Sequence, residues 1–180
     1  MSIRPKDPLL LAAKLVIGFF IVLFGFVIAA IAVGIPAMLL NQGRILAAVA
    51  EEGVKVGPEL FGALGLLLLC VAGFLALAIW FLVLLRRIVN TVGHGDPFVP
   101  ENADRLSRMG WIVVGTQVLS IPAGAMILWL AEVFKEVDDA RVDAEVGING
   151  GAIVLILVLF ILARVFRHGA AMRDGLEGTV

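Results

Sequence analysis

The sequence predicts an all-α fold: one domain over residues 1–180 that forms an integral membrane four-helix bundle with both termini cytoplasmic. Hydrophobic residues occupy 61% of the 180 positions and charged residues 16%, whereas soluble domains average roughly 45–50% and about 25%. Four segments contain no Asp, Glu, Lys or Arg, namely residues 15–43, 60–85, 109–131 and 146–163. This composition excludes a disordered chain, a basic nucleic-acid-binding protein and an ordinary soluble enzyme.

Each charge-free segment predicts one membrane-spanning helix. The hydrocarbon core of a bilayer needs about 20 apolar residues in helical form, and a helix satisfies its own backbone hydrogen bonds in lipid. We therefore expect spans at about residues 12–40, 60–85, 109–131 and 147–164. A cleaved signal peptide is the alternative for the first segment. The apolar region of a signal peptide is only about 7–15 residues long, so a retained helix is favoured.

The distribution of Lys and Arg predicts the orientation in the membrane. Ten of the 14 lie in the two terminal segments and in the connection between the second and third spans, and four lie in the other two connections. Because basic loops stay in the cytoplasm, we expect a multi-pass membrane protein with both termini in the cytoplasm. Trp80, Trp111 and Trp129 lie near the ends of the predicted spans, where indole rings favour the headgroup region.

The predicted spans carry few groups that could do chemistry. No acidic or basic residue lies centrally in any span, although ion-coupled transporters place such residues at mid-membrane. Thr116, Gln117 and Ser120 cluster in the third span, and we interpret them as interhelical hydrogen-bonding groups rather than as a polar lining. Cys70 is interpreted as a small packing residue. We therefore expect no catalytic residue, no cofactor site and no metal site.

The two connections expected outside the cell membrane have no specific binding pattern. Residues 45–49 could continue the first helix for a turn or two before Gly53, Gly57 and Pro58 break it. The acidic segment 132–145 raises the alternative of a calcium site, but its spacing fits no EF-hand. We interpret it as a solvated extension of the third span.

The connection between the second and third spans has the most distinctive pattern. Gly93, Gly95 and Pro97 predict a turn, and Pro100 suits the first position of a helix. A cytoplasmic lead-in helix is therefore expected at about residues 100–108, running along the membrane surface into the third span.

Two cytoplasmic segments resemble a known family. The connection contains the motifs Gly95-Asp96-Pro97-Phe98, Glu101-Asn102 and Arg105-Leu106. The tail after the last span has Phe166, Gly169, Met172, Asp174, Thr179 and Val180 at matching places. This pattern resembles, over nearly the whole chain, the bacterial membrane proteins grouped as domain of unknown function 2975. Met172, Gly175 and Gly178 depart from the residues usual in that family.

The resemblance implies four helices in the bacterial cytoplasmic (inner) membrane with both termini in the cytoplasm, and it offers no catalytic residues to carry over. It also implies a possible partner, because a small helix-turn-helix regulator is a frequent genomic neighbour of the family. This partner follows from the resemblance only. The residues themselves indicate the lipid bilayer as a partner, no direct contact with nucleic acid, and the possibility of a homo-oligomer.

We hypothesise that the two cytoplasmic segments form one structural or interaction motif. In this hypothesis residues 97–111 and 166–180 pack together, Arg105 pairs with Asp174 or Glu177, and Asn102 bonds to exposed backbone. The alternative is two independent surface segments. The candidate residues of the motif are Pro97, Phe98, Glu101, Asn102, Arg105, Leu106, Phe166, Gly169 and Thr179.

The function favoured by these patterns is that of an interaction or regulatory protein that acts through its cytoplasmic face. The alternative is a small transporter or channel subunit, which would need an aqueous path that the sequence does not indicate. An enzyme is not expected, because no acid, base, nucleophile or metal ligand forms a pair at membrane depth.

Overall fold

The computed structural model describes residues 8–51, 57–93, 97–134 and 149–177. This part of the chain is built from helices and contains no strand, which confirms the predicted all-α class. The helices are α1 (Pro8–Leu40), α2 (Gln42–Glu51), α3 (Glu59–Gly93), α4 (Pro100–Phe134) and α5 (Gly150–Glu177).

Four of these helices, α1, α3, α4 and α5, are long and apolar enough to cross a membrane. Between 6% and 22% of the residues in their most apolar segments are buried within the chain, so large apolar side chains cover their outer surfaces. An apolar surface of this extent is stable in contact with lipid and not in water. The chain is therefore a multi-pass membrane protein.

Three of the long helices continue beyond the charge-free segments. α3 extends past Arg86 and Arg87 to Gly93, and α5 extends past Arg164 to Glu177. The lead-in segment 100–108 is the first part of α4 and joins the apolar part without a break. The extensions of α4 and α5 remain helical because one face of each stays packed, as the burial of Ala103, Leu106 and Ala170 indicates. In the extension of α3, residues 88–91 are half-buried.

The first helix ends at Leu40, and residues 45–49 do not continue it, because they belong to the separate helix α2. Asn41 forms the junction. Its side-chain Nδ2 donates to the Ala37 carbonyl over 2.8 Å, while its own carbonyl accepts from the backbone N–H groups of Arg44 and Ile45. An Asn side chain competes with the helical backbone for hydrogen bonds, so one polar residue stops α1 and starts α2.

The chain packs as two compact units. The first contains Met1–Phe24, Leu77–Gly115 and Asn149–Val180, and the second contains Gly25–Ala76 and Thr116–Ile148. The core of the first unit is formed by buried residues of α3, α4 and α5: Leu84, Leu106, Met109, Ile112, Val113, Leu159 and Ala163.

Small residues set the distance between helices in each unit. In the first unit Gly110 of α4 lies under the ring of Phe160 of α5, so close that an added Cβ would be 3.1–3.2 Å from three ring carbons. In the second unit an added Cβ at Gly73 of α3 would be 2.9 Å from Leu119 Cδ2 of α4. Cys70, also in the second unit, is buried and free, consistent with a packing role.

Candidate functional site

The strongest polar feature of the first unit surrounds Asn102, whose exposed fraction is 0%. Its Nδ2 donates to Thr91 Oγ1 over 2.7 Å and to the Pro97 carbonyl over 2.9 Å. Its Oδ1 accepts from Arg105 Nη1 over 2.7 Å. Both N–H groups and the oxygen of the amide are therefore satisfied, which a buried amide requires. We call Thr91, Pro97, Asn102 and Arg105 the Asn102 network.

The Asn102 network joins the end of α3 to the start of α4. Thr91 Oγ1 accepts from Asn102 and donates to the Ile88 carbonyl over 2.7 Å, so the bonds run from the last turns of α3 into the side chain of α4. On the other side, the Pro97 carbonyl holds the chain that enters α4. The network thus fixes the geometry of the connection on both sides of residues 94–96.

The local sequence explains why α4 begins at Pro100, two residues before Asn102. Pro100 is the first helical residue, a position where its missing N–H costs nothing and its fixed φ suits a helix. The backbone N–H of Asn102 donates to the Val99 carbonyl over 2.9 Å. Glu101 lies in the first turn and is exposed, where a negative charge interacts favourably with the helix dipole.

A second contact joins the same connection to α5. The rings of Phe98 and Phe166 lie with their centroids 5.2 Å apart and tilted by 43°. A Cβ at Gly169 would lie 2.8 Å from Phe98 Cδ1, so only glycine leaves room for the ring there. We call Phe98, Phe166 and Gly169 the Phe98 contact.

One ion pair also links α4 and α5. Arg167 Nη2 lies 3.2 Å from Asp104 Oδ1, with both side chains 64% exposed. An exposed pair of this kind contributes little stability, typically about 0.2–1 kcal/mol. The two helices run antiparallel here, because Asp104 precedes Gly110 along α4 while Arg167 follows Phe160 along α5.

These contacts bring together most of the residues that the sequence singled out. Pro97, Asn102 and Arg105 share the Asn102 network, and the predicted bond from Asn102 to backbone is present at the Pro97 carbonyl. Phe98, Phe166 and Gly169 meet in the Phe98 contact, which joins the two segments hypothesised to pack together. Leu106 belongs to the apolar core and not to a surface motif.

Two parts of the hypothesis fall on residues that the structure does not describe. Thr179 lies outside the described residues, and so do the side chains of Asp174 and Glu177. The pairing of Arg105 with either acid therefore stays a prediction. In the described part of the chain, the partner of Arg105 is Asn102, one turn away on the same helix.

Sequence reasoning missed Thr91, Asp104 and Arg167. Thr91 lies eleven residues before Asn102, across a turn, and no short-range spacing rule connects the two. Asp104 and Arg167 are 63 residues apart, and the sequence signal was limited to opposite charges in two segments expected to meet.

The polar residues of the third span are arranged differently from the prediction. Ser120 Oγ donates to the Gln117 carbonyl of its own helix over 2.7 Å, not to another helix. The buried Nε2 of Gln117 has no hydrogen-bond partner among the residues that the structure describes. The interpretation of these two residues as interhelical hydrogen-bonding groups is therefore wrong: a Ser hydroxyl reaches a carbonyl one turn back more easily than a neighbouring helix.

The described ranges contain no group of three or more His, Cys, Asp or Glu side chains arranged to hold a metal ion. The chemistry available at the Asn102 network is hydrogen bonding between groups that already satisfy each other. These hydrogen bonds hold the described ends of α3 and α4 together.

A comparison with known families gives a match. The family model described as "Protein of unknown function (DUF2975)" matches residues 46–180. The chain belongs to the DUF2975 family. The matched region contains α3, α4 and α5, and with them every residue of the Asn102 network and of the Phe98 contact. α1 precedes it, so the family likeness covers less of the chain than the sequence motifs suggested. A search of curated proteins and a search of solved structures each gave no match.

Proposed function

We propose that this DUF2975 protein is an interaction or regulatory protein of the bacterial cytoplasmic membrane, with both termini in the cytoplasm. In this proposal it binds a soluble partner through the surface formed by the end of α3, the start of α4 and the end of α5. It catalyses no reaction. The first partner to test is a small helix-turn-helix regulator, which the family resemblance suggests.

The observation that carries the proposal is the fully satisfied Asn102 network. The network holds together the end of α3 and the start of α4, which lie beyond the charge-free segments. Spanning the lipid does not require these two ends to be packed against each other. The Phe98 contact adds the end of α5 to the same assembly. A surface held in one conformation binds a partner with a smaller loss of conformational entropy than a mobile one.

The distribution of charge supports the proposed orientation. The first unit contains Lys14, Arg86, Arg87, Arg108 and Arg164, near the membrane ends of its helices. Basic residues at this position are typical of cytoplasmic loops. A reporter fused to the C-terminus that is active only in the cytoplasm should therefore give signal, and a reporter active only in the periplasm should not.

Affinity purification from native membranes tests the partner. The full chain should retain a soluble protein that binds again when both are purified, and Asn102→Leu should lose it. Asn41→Ala, which removes a hydrogen bond at the exposed junction of α1 and α2, is the matched control and should retain the partner. Equal retention by both variants would contradict the proposal. Solute flux in proteoliposomes would support the transporter or channel alternative instead.

A further inference from the structure

A groove of about 690 Å³ runs along one side of α5, in the first unit. Its apolar wall is formed by Ile161, Val165 and Met172, and Phe98 closes one side. Arg164 and His168, one helical turn apart, line the same groove. In the described part of the chain neither side chain has an ion-pair partner, whereas the neighbouring Arg167 is paired with Asp104.

The apolar wall continues the surface that α5 presents to lipid. Val154, Val158, Ile161 and Val165 recur at intervals of three and four residues and are all exposed, so they form one stripe along the helix. His168 and Met172 continue the same stripe. A chain of methylene groups lying on this stripe would therefore reach the two polar side chains without leaving the helix surface.

The depth of Arg164 matches the headgroup region of a bilayer. Trp111, with 65% of its surface exposed, packs edge-on against Phe160, their ring centroids 5.8 Å apart. Arg164 follows Phe160 by one turn, about 5–6 Å along the axis. Exposed Trp residues favour the interface between headgroups and hydrocarbon, so Arg164 lies at that interface and His168 lies one turn further from the hydrocarbon.

We propose that this α5 groove binds one anionic glycerophospholipid. An acyl chain lies along the stripe that ends at Ile161 and Val165, and the lipid phosphate receives hydrogen bonds from the Arg164 guanidinium and a His168 ring N–H. Guanidinium groups bind phosphate oxygens with two parallel bonds, and basic pockets on membrane helices bind acidic headgroups. In the orientation proposed above, the lipid belongs to the cytoplasmic leaflet. Binding of the lipid to the α5 groove does not depend on which way the protein is oriented in the membrane.

The test uses the full chain in a neutral detergent, titrated with phosphatidylglycerol or with phosphatidylcholine. Binding is measured by native mass spectrometry and by the shift in thermal unfolding temperature. Wild type should bind one phosphatidylglycerol at least tenfold more tightly than phosphatidylcholine. Arg164→Gln and His168→Gln should each weaken phosphatidylglycerol binding by about tenfold, as expected for one charge-assisted hydrogen bond.

Arg87→Gln is the matched control, because Arg87 is exposed in the first unit and does not line the groove. It should bind phosphatidylglycerol like wild type. Val165→Ser should weaken binding through the acyl chain. Glycerol 3-phosphate at equal ionic strength should not stabilise the protein, since it has no chain to place on the stripe.

Three outcomes would overturn the inference. Equal weakening by Arg87→Gln would indicate unspecific attraction to negative charge. Stabilisation by glycerol 3-phosphate as large as that by the lipid would indicate a site for free phosphate. A change of oligomeric state in the groove variants, with unchanged lipid binding, would indicate that a second copy of the chain covers the groove. Because Arg164 and His168 are both exposed, their single substitutions leave the packed core intact.

Discussion

The side-chain amide of Asn102 donates to the hydroxyl of Thr91 over 2.7 Å, and this bond joins the first turn of α4 to the last turns of α3. Either group would destabilise the folded protein if the other were absent. Asn102 is fully buried, and a buried amide without a partner costs about 1–3 kcal/mol. The connection between the helices is therefore held by polar groups as well as by the apolar core beside it.

Substitutions of Thr91 test whether its hydroxyl stabilises the connection between α3 and α4. Thr91→Val keeps the volume and removes both of its hydrogen bonds, so we expect a loss of about 1–3 kcal/mol in the free energy of unfolding. Thr91→Ser keeps the hydroxyl and should cost clearly less. Thermal unfolding in detergent measures both. If the two variants were equally stable, the bond to Asn102 would carry no stabilising energy.

Substitution of Asn102 should lower the free energy of unfolding more than substitution of Thr91. Asn102→Leu leaves Thr91, the Pro97 carbonyl and Arg105 without their partner, and we expect a destabilisation of about 2–4 kcal/mol. The comparison with Asn41→Ala separates this effect from the general loss of an Asn side chain, because the Asn41 bond is exposed. A shift in unfolding temperature no larger than that of Asn41→Ala would contradict the interpretation.

Substitution of Arg105 should reduce stability more than substitution of Arg167, although both arginines lie on the same surface. Arg105→Ala removes the donor to the buried Asn102 oxygen and should cost about 1–2 kcal/mol. Arg167→Ala breaks an exposed pair and should change stability by less than about 0.5 kcal/mol. Denaturation of the two variants under identical conditions gives the comparison. The reverse order would mean that the tail, and not Asn102, is the important partner of Arg105.

Even the smallest substitution of Gly169, to alanine, should reduce the stability of the protein. In Gly169→Ala the new methyl group would meet the Phe98 ring, and we expect the ring to move away from Phe166 at a cost of about 1 kcal/mol or more relative to Gly18→Ala. Gly18 is a suitable control because an added Cβ there meets nothing within 4 Å, so the substitution gains helix propensity only. Adding Phe98→Ala should remove most of the difference, since the clash then has no second partner.

The elements that the sequence predicted well are those with a local cause. The four apolar helices follow from the absence of charge over whole segments, and the start of α4 follows from Pro100 and the acidic residue after it. Asn102 and Arg105 share a face at a spacing of three residues, and they are bonded. The packing of residues 97–111 with 166–180 was hypothesised from their shared location and charge, and no local pattern predicts that Phe98 meets Phe166 and Gly169.

What the sequence did not predict depends on geometry between distant residues or on a single polar side chain. α1 ends at Leu40, but the separate helix α2 was not predicted, because residues 45–49 are apolar enough to extend α1. Thr91 becomes a partner of Asn102 only after the turn between their helices has formed. The hypothesised pairing of Arg105 with an acid in the tail stays a prediction, and among the described residues Arg105 bonds to Asn102, one turn away.

The packing of α5 has a consequence for how the protein is made. Leu159 and Ala163 of α5 complete a core whose other members come from α3 and α4. The core of the first unit therefore cannot close until α5 has been synthesised, so α3 and α4 alone cannot form it.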